Sequence, residues 1–187
     1  MADSASEKWN KRFANADKPP AAATVLHNHL QFLPTQGSAL DLACGLGGNA
    51  LLLAKSGLAT SAWDIAAIGL EKLQLFAALQ DFAVTGRQID LENDAFPSQT
   101  FDVITVSRYL HRPLFTNIIA ALNSGGVVYY QTFTAKAGNG APSNPNFLLA
   151  DNELLEQFSS LETLFYQQDD NSDDKPNMAY YIGRKPS

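Results

Sequence analysis

Cysteine occurs once in this sequence, at Cys44, and histidine three times, at His27, His29 and His111. A single thiol excludes an internal disulfide framework, and no Cys/His cluster has the spacing of a zinc site, so no metal is expected. No apolar run approaches the roughly 20 residues of a membrane-spanning helix. The N-terminal stretch MADSASEKWNKRF has no apolar segment behind a basic start, which reads against a secretory signal. Basic charge is also in short supply: 13 Lys and Arg stand against 19 Asp and Glu, a net charge of −6. Binders of nucleic acid or anionic membranes need a basic surface. The expectation is a cytoplasmic protein that binds neither.

What is present is an ordinary globular composition, 45% hydrophobic and 17% charged over 187 residues, enough for one domain with a real core. The first twenty residues are polar apart from Trp9 and Phe13 and end in Pro19-Pro20, so they read as an N-terminal arm before a single domain over 21–187. Ala22, Leu26, Leu30 and Leu33 recur at helical spacing up to Pro34. Ser38 to Cys44 then reads as a strand running into Gly45-Leu46-Gly47-Gly48, and Asn49 to Ser56 as a helix closed by Gly57. Strand patterns follow at Ala59 to Ile65, Gly86 to Leu91, Phe101 to Val106 and Val127 to Phe133, separated by helical patterns at Ile68 to Phe82 and Phe115 to Leu122. A loop over Ala135 to Asn146 and a short helix over Asp151 to Phe158 come next. Two final strands, Leu161 to Gln167 and Met178 to Gly183, flank an acidic turn, Asp169 to Asp174. Alternating strands and helices predict a doubly wound parallel sheet in three layers, and the closing pair predicts an antiparallel hairpin. Ligands of such sheets bind at the carboxyl ends of the first strands.

The chemistry concentrates there. Glycines after a strand allow a sharp turn and close approach of a ligand to the backbone. Gly45 to Ala50 satisfies G-x-G-x-x-A, a dinucleotide pattern that is weak by itself. Asp41 lies four residues before Gly45, where a carboxylate disfavours a pyrophosphate and favours an ammonium. Asp64 follows Gly45 by nineteen residues, the spacing of a ribose-binding acid, and Asp90 ends the third strand pattern.

LDLACGLGGNALLLAKSG, AWDIA, IDLEND, FDVITVSRYLHR and SGGVVYYQTF, in that order, resemble the class I S-adenosylmethionine-dependent methyltransferases over nearly the whole chain, about Ala22 to Lys185. RYLHRPLF and NPNFLLADNELLEQF look most like the small bacterial tellurite-resistance and thiol-methyltransferase members. The resemblance implies a Rossmann-like sheet of seven strands with a C-terminal hairpin, and S-adenosylmethionine as cofactor. It implies that Gly45 and Gly47 run beside the cofactor's methionine part, with Asp41 reaching its amino group. Asp64 would bind the ribose hydroxyls, Asp90 and Leu91 the adenine edge, Ile65 a ring face, and Ser107 would lie near the sulfonium. Ala43 stands where the family loop usually begins with glycine, and the cofactor loop runs on to Asn49. Trp9 and Arg12 match a W-x-x-R-F/Y element that folds over the cofactor in related enzymes.

Methyl transfer from a sulfonium is an in-line displacement, in which a protein mainly aligns and excludes water. A base is needed only for a protonated nucleophile. Tyr109, His111 and Arg112 follow the fourth strand and are the catalytic candidates: His111 as a base or orienting group, and Arg108 or Arg112 as a bidentate clamp on an anionic acceptor. A solvated helix start explains the same residues without chemistry. His27 and His29 face different sides of a helix and read as structural, and Cys44 reads as a small motif residue. Phe147 to Leu149 reads as a substrate cover or a helix-docking staple. The chain is little longer than the catalytic core, which favours a small-molecule acceptor and a monomer or homodimer. Two other readings stay open: a nicotinamide-dependent oxidoreductase, and a non-catalytic relative that only binds the cofactor.

Overall fold

Ser38–Leu42, the strand β1, alternates its side chains across the sheet: Ala39 packs with one layer of helices, Leu40 and Leu42 with the other. The same division runs through β2 (Ala59–Asp64), β3 (Val84–Gln88), β4 (Phe101–Ser107) and β5 (Leu122–Phe133). On one face lie α2 (Thr24–His27), α3 (Gly48–Lys55) and α4 (Ala67–Ala78); on the other lie α5 (Leu114–Ala121) and α6 (Glu153–Gln157). The chain is a computed structural model that describes residues 4–135, 140–169 and 175–187. Parts of the expected loop Ala135 to Asn146 and of the acidic turn Asp169 to Asp174, namely 136–139 and 170–174, lie outside the described residues.

The sheet has seven strands in the order β3-β2-β1-β4-β5-β7-β6, where β6 is Glu162–Gln168 and β7 is Met178–Arg184. The first five are parallel, and β7 pairs antiparallel with both β5 and β6. The α5/α6 side holds an aromatic knot of Phe115, Tyr130, Phe158 and Tyr181, with Phe158 edge-on to Phe115 at 5.1 Å and stacked on Tyr181 at 5.1 Å. Among the described residues no helix is long and apolar enough to cross a membrane, and no group of His, Cys, Asp or Glu could hold a metal.

Three elements depart from the sequence pattern. The single helix expected over Ala22 to Leu33 is broken into α2 and a 3-10 turn at Leu30–Phe32. The Tyr129 hydroxyl donates to the His29 carbonyl at 3.0 Å, and the His29 ring lies 4.2 Å from that of Phe165, so tertiary contacts hold this residue out of helical register. The third strand ends at Gln88, so Asp90 stands two residues past it. There the Asp90 carboxylate accepts from the Glu92 N–H and the Asn93 amide, a local turn that competes with the ladder. No helix joins β3 to β4. The connection is irregular, and Phe96 within it packs edge-on to Trp63 at 5.5 Å.

An N-terminal helix, α1 (Ala5–Phe13), begins with a capping box of Ser4 and Glu7. It docks on α4 by one face. Ser6 Oγ donates to the Ile65 carbonyl, Asn10 Oδ1 accepts from the Ile68 N–H, and Phe13 reaches Gly45 and Gly69. Residues 6, 10 and 13 are spaced four and three apart, so they share this face.

Candidate active site

β1 delivers Asp41, which is 1% exposed and bonded on three sides. Its Oδ1 accepts from Asn49 Nδ2 at 3.2 Å and Thr105 Oγ1 at 3.0 Å, and its Oδ2 accepts from the Ala50 N–H at 3.0 Å. The carboxylate thereby fills the anion-favouring N-terminus of α3 with protein charge. Burial pushes its pKa up to about 6 against the pull of those three bonds.

The loop between β1 and α3 turns through left-handed backbone at Ala43 (φ 54), Gly45 (φ 54) and Gly47 (φ 80). Ala43 is the position where glycine was expected; its backbone takes the left-handed form, at a cost of about 1 kcal/mol for an L residue. A side chain at Gly47 would collide with Leu73, so the loop packs against α4 backbone to side chain. At Gly48 an added Cβ would lie 2.6 Å from the Pro20 carbonyl, because the segment ahead of α2 crosses the first turn of α3. Asn49 pins that crossing: its Oδ1 accepts from the Ala23 N–H at 2.8 Å, and its Nδ2 also donates to Ser107 Oγ at 3.2 Å. One buried amide thus joins β1, the crossing segment and the end of β4.

Asp64 ends β2 and faces the loop. Its Oδ2 accepts from the Gly45 N–H at 2.7 Å and its Oδ1 from the Ala66 N–H at 2.8 Å. Burial raises its pKa. The Ile65 N–H also bonds this carboxylate, which leaves acceptor capacity for a hydroxyl donor. Ile65, next to it, is half-buried, and its carbonyl accepts from Ser6 and from Gln88. Asp90 is held below the usual carboxylate range by the Asn93 amide first, with the Glu92 N–H and the His111 ring also contributing. Leu91 packs on the main core.

Tyr109 stands between these carboxylates. Burial raises its pKa, and Glu92, Asp90 and Asp64 raise it further, so the phenol stays a neutral donor. Its backbone carbonyl accepts from the Tyr130 hydroxyl at 2.9 Å, which fixes the segment to the core. Arg108, before it, is left-handed (φ 53), and its N–H is bound to the Gln131 carbonyl. His111 and Arg112 line a cavity of about 330 Å³ together with Glu92, Leu110, Asn146 and Phe147. The Arg112 guanidinium is already engaged: Nε and Nη2 grip Glu153 at 2.7 and 2.9 Å, Nη1 donates to the Asn146 carbonyl and Nη2 to the Leu148 carbonyl.

Sequence reasoning missed Thr105, Glu92 and Glu153, which the fold brings to this edge. Phe13, the aromatic of the W-x-x-R-F/Y element, packs at Gly45 and Gly69. Trp9 remains 37% exposed, stacked 5.5 Å from Phe13, with Arg12 over its ring at 5.1 Å. Cys44 is partly exposed as a residue, but its thiol is desolvated and its pKa raised, which leaves it unreactive.

Residues 39–126, just under half the chain, match the family model described as Methyltransferase domain, and the match spans the loop, Asp64, Asp90 and the β4 end. This half of the chain is similar to a methyltransferase domain. S-adenosylmethionine is the cofactor that this likeness implies. The donor set fits it: the Asp64 carboxylate faces the loop as an acceptor for a ribose hydroxyl, Asp90 lies just past the end of β3, and the Asp41 carboxylate occupies the Ala50 amide. TehB from Haemophilus influenzae has the same fold, with a TM-score of 0.76 and 20% identity, covering 95% of this chain and 67% of that one. An S-adenosylmethionine-dependent methyltransferase from Methanosarcina mazei gives 0.66 and 15%, covering 89% and 99%. The [4+2]-cyclase SpnF gives 0.68 and 15%, covering 87% and 78%, so the fold alone does not name the reaction. No curated protein matches the sequence.

Proposed function

We propose that this methyltransferase passes the methyl group to a small-molecule nucleophile by in-line displacement, within a single domain over 21–187 that carries residues 1–20 as an arm. The observation that carries the reading is convergence. The glycine loop, Asp64, Asp90, Ser107 and Tyr109 to His111 meet at the carboxyl edge of β1, β2, β3 and β4, the place where sheets of this class bind ligands.

When bound, S-adenosylmethionine supplies a methyl group on a sulfonium, a leaving group that needs no activation. The residues of the chain do the rest. Asp64 and Asp90 hold hydroxyl and adenine-edge donors, with Leu91 and Ile65 flanking them. The loop from Asp41 through Ala43, Gly45 and Gly47 to Asn49 shapes the methionine end. Asp41 acts by holding Ala50, Asn49 and Thr105 in place. Ser107, tied to Asn49, marks the edge nearest the transferred methyl. Trp9 and Arg12 lie on the outer side of α1 and cover the site from there. His111 holds a proton acceptor at the cavity, Tyr109 remains a neutral donor beside it, and Arg112 positions the walls through Glu153. A monomer or homodimer, no nucleic-acid partner and a cytoplasmic location complete the reading, supported by the net charge of −6 and the lone free cysteine.

The placement of Asp41 also tells against a nicotinamide enzyme. Its carboxylate occupies the Ala50 amide at the α3 N-terminus, which a pyrophosphate would need. Calorimetric titration with S-adenosylhomocysteine and with NADH separates the two. S-adenosylhomocysteine should bind and protect the fold, by about 2.7 kcal/mol at 100 times its Kd. No thermal shift up to millimolar ligand, or binding of NADH in its place, would refute the proposal. An acceptor screen distinguishes an enzyme from a cofactor-binding relative.

A further inference from the structure

We infer that the cavity at the end of β4 takes an acceptor recognised by a cationic or strongly hydrogen-bond-donating end and an apolar body, and that it rejects anions; this rests on the methyl-transfer reading above. The two arginines of Arg108 to Arg112 point toward an oxyanion or carboxylate acceptor when read as sequence. The fold redistributes their charge. Arg112 lines the cavity, but all three of its guanidinium nitrogens donate to Glu153, Asn146 or Leu148, so its positive charge is neutralised on site. Arg108 does not line the cavity.

Among the described lining residues, the carboxylate left without an ion-pair partner is that of Glu92. Glu92 lines the cavity, is exposed, and has no cation at ion-pair distance among the described residues; its neighbour is the Tyr109 hydroxyl. Asp90 lies close enough for its carboxylate to feel His111, and it has only neutral donors as hydrogen-bond partners. Phe147, 45% exposed, and buried Leu110 supply the apolar part of the lining. About 330 Å³ is room for a ring with a short chain, not for a macromolecular segment. An anion entering here meets the unpaired Glu92 carboxylate, whereas an ammonium or a protonated heterocycle gains Glu92 and stacks its apolar part on Phe147.

Phenethylamine and phenylacetate, one ring size with opposite charge, test this by calorimetry at neutral pH and low salt. Each is titrated into the protein saturated with S-adenosylhomocysteine and into the protein alone. Phenethylamine should bind at millimolar concentration or better, more tightly than phenylacetate, and Glu92→Gln should weaken it about fivefold, with S-adenosylhomocysteine affinity as the check on folding. Equal or tighter binding of phenylacetate, no binding of phenethylamine, or a Kd unmoved by Glu92→Gln would overturn the inference. Failure of S-adenosylhomocysteine to bind would count against the methyltransferase reading alone, because the titration without it reports the charge preference by itself.

Discussion

Arg112 and Glu153 meet in a two-pronged ion pair, Nε to Oε1 at 2.7 Å and Nη2 to Oε2 at 2.9 Å, across forty-one residues of sequence. Glu153 is buried and also accepts from the Ala150 N–H, while the arginine is half-exposed. The pair fastens the connection after β4 to the start of α6, and through the Asn146 and Leu148 carbonyls it also fixes the cavity wall.

Removing Arg112 leaves a buried carboxylate with two hydrogen bonds fewer than it had, so Arg112→Ala should destabilise by about 1–3 kcal/mol. Arg112→Lys should recover little, because a point charge cannot make the two-pronged contact. A double-mutant cycle with Glu153→Ala in urea should show coupling. Additivity within about 0.3 kcal/mol would mean the pair contributes nothing beyond its separate halves.

Ala43 has φ 54, so Ala43→Gly should raise stability by roughly 0.5–1 kcal/mol, the relief of strain less the extra freedom of the unfolded chain. That corresponds to about 1–4 °C in Tm for a domain of this size. A lower Tm would show that the methyl group packs usefully enough to outweigh the strain.

Asp41 should make stability fall as pH rises through its folded pKa. Its folded pKa is about 6 and its ordinary value 3.8, so the native state binds the proton more tightly than the unfolded state does. The contribution is present at low pH and lost between about pH 4 and 6.5, on the order of 2–3 kcal/mol when complete. Buried Asp64 shifts in the same direction, whereas the partly exposed Asp90 and Asp102 shift in the opposite one, so the comparison must be with Asp41→Asn. The stability of the wild type relative to that variant should grow on acidification from pH 7 to 5. A pH-independent difference would put Asp41 at an ordinary pKa.

Asp64→Asn should weaken S-adenosylhomocysteine by roughly 1.5–3 kcal/mol, tenfold or more, through loss of charge-assisted bonds. Asp94 is a poor control, because its Oδ2 accepts from the Asp90 N–H at 2.8 Å. Glu162, on β6 at the far edge of the sheet and 62% exposed, removes a charge without touching the site. Equal affinities for Asp64→Asn and Glu162→Gln would move the ribose hydroxyls elsewhere.

If His111 takes a proton from the acceptor, His111→Gln should lower kcat by about 10²–10⁴ with cofactor affinity nearly unchanged. A loss confined to KM would make it an orienting group. Turnover within about twofold of wild type, on an acceptor found by screening, would remove it from the chemistry.

Where the sequence pattern is local, it was sufficient. Alternation in Ser38 to Leu42, the continuous strand pattern of Val127 to Phe133 (which β5 extends back to Leu122), the glycines after β1 and the polar link before β7 specify strands, a turn and a hairpin, because these depend on the nearest residues alone. The glycine turn and the placement of Asp64 against it were legible for the same reason: a glycine turn and an acid nineteen residues later are both fixed by one βαβ unit. What lies far apart in the chain was not. His29 leaves the helix because Tyr129, one hundred residues on, takes its carbonyl. Asp41 is a buried brace because Thr105 and Asn49 close over it. Arg112 reads as an anion clamp until Glu153 and two distant carbonyls take its donors. Charge in a sequence shows only which groups are available; which of them meet a ligand is decided by the partners that packing brings against them.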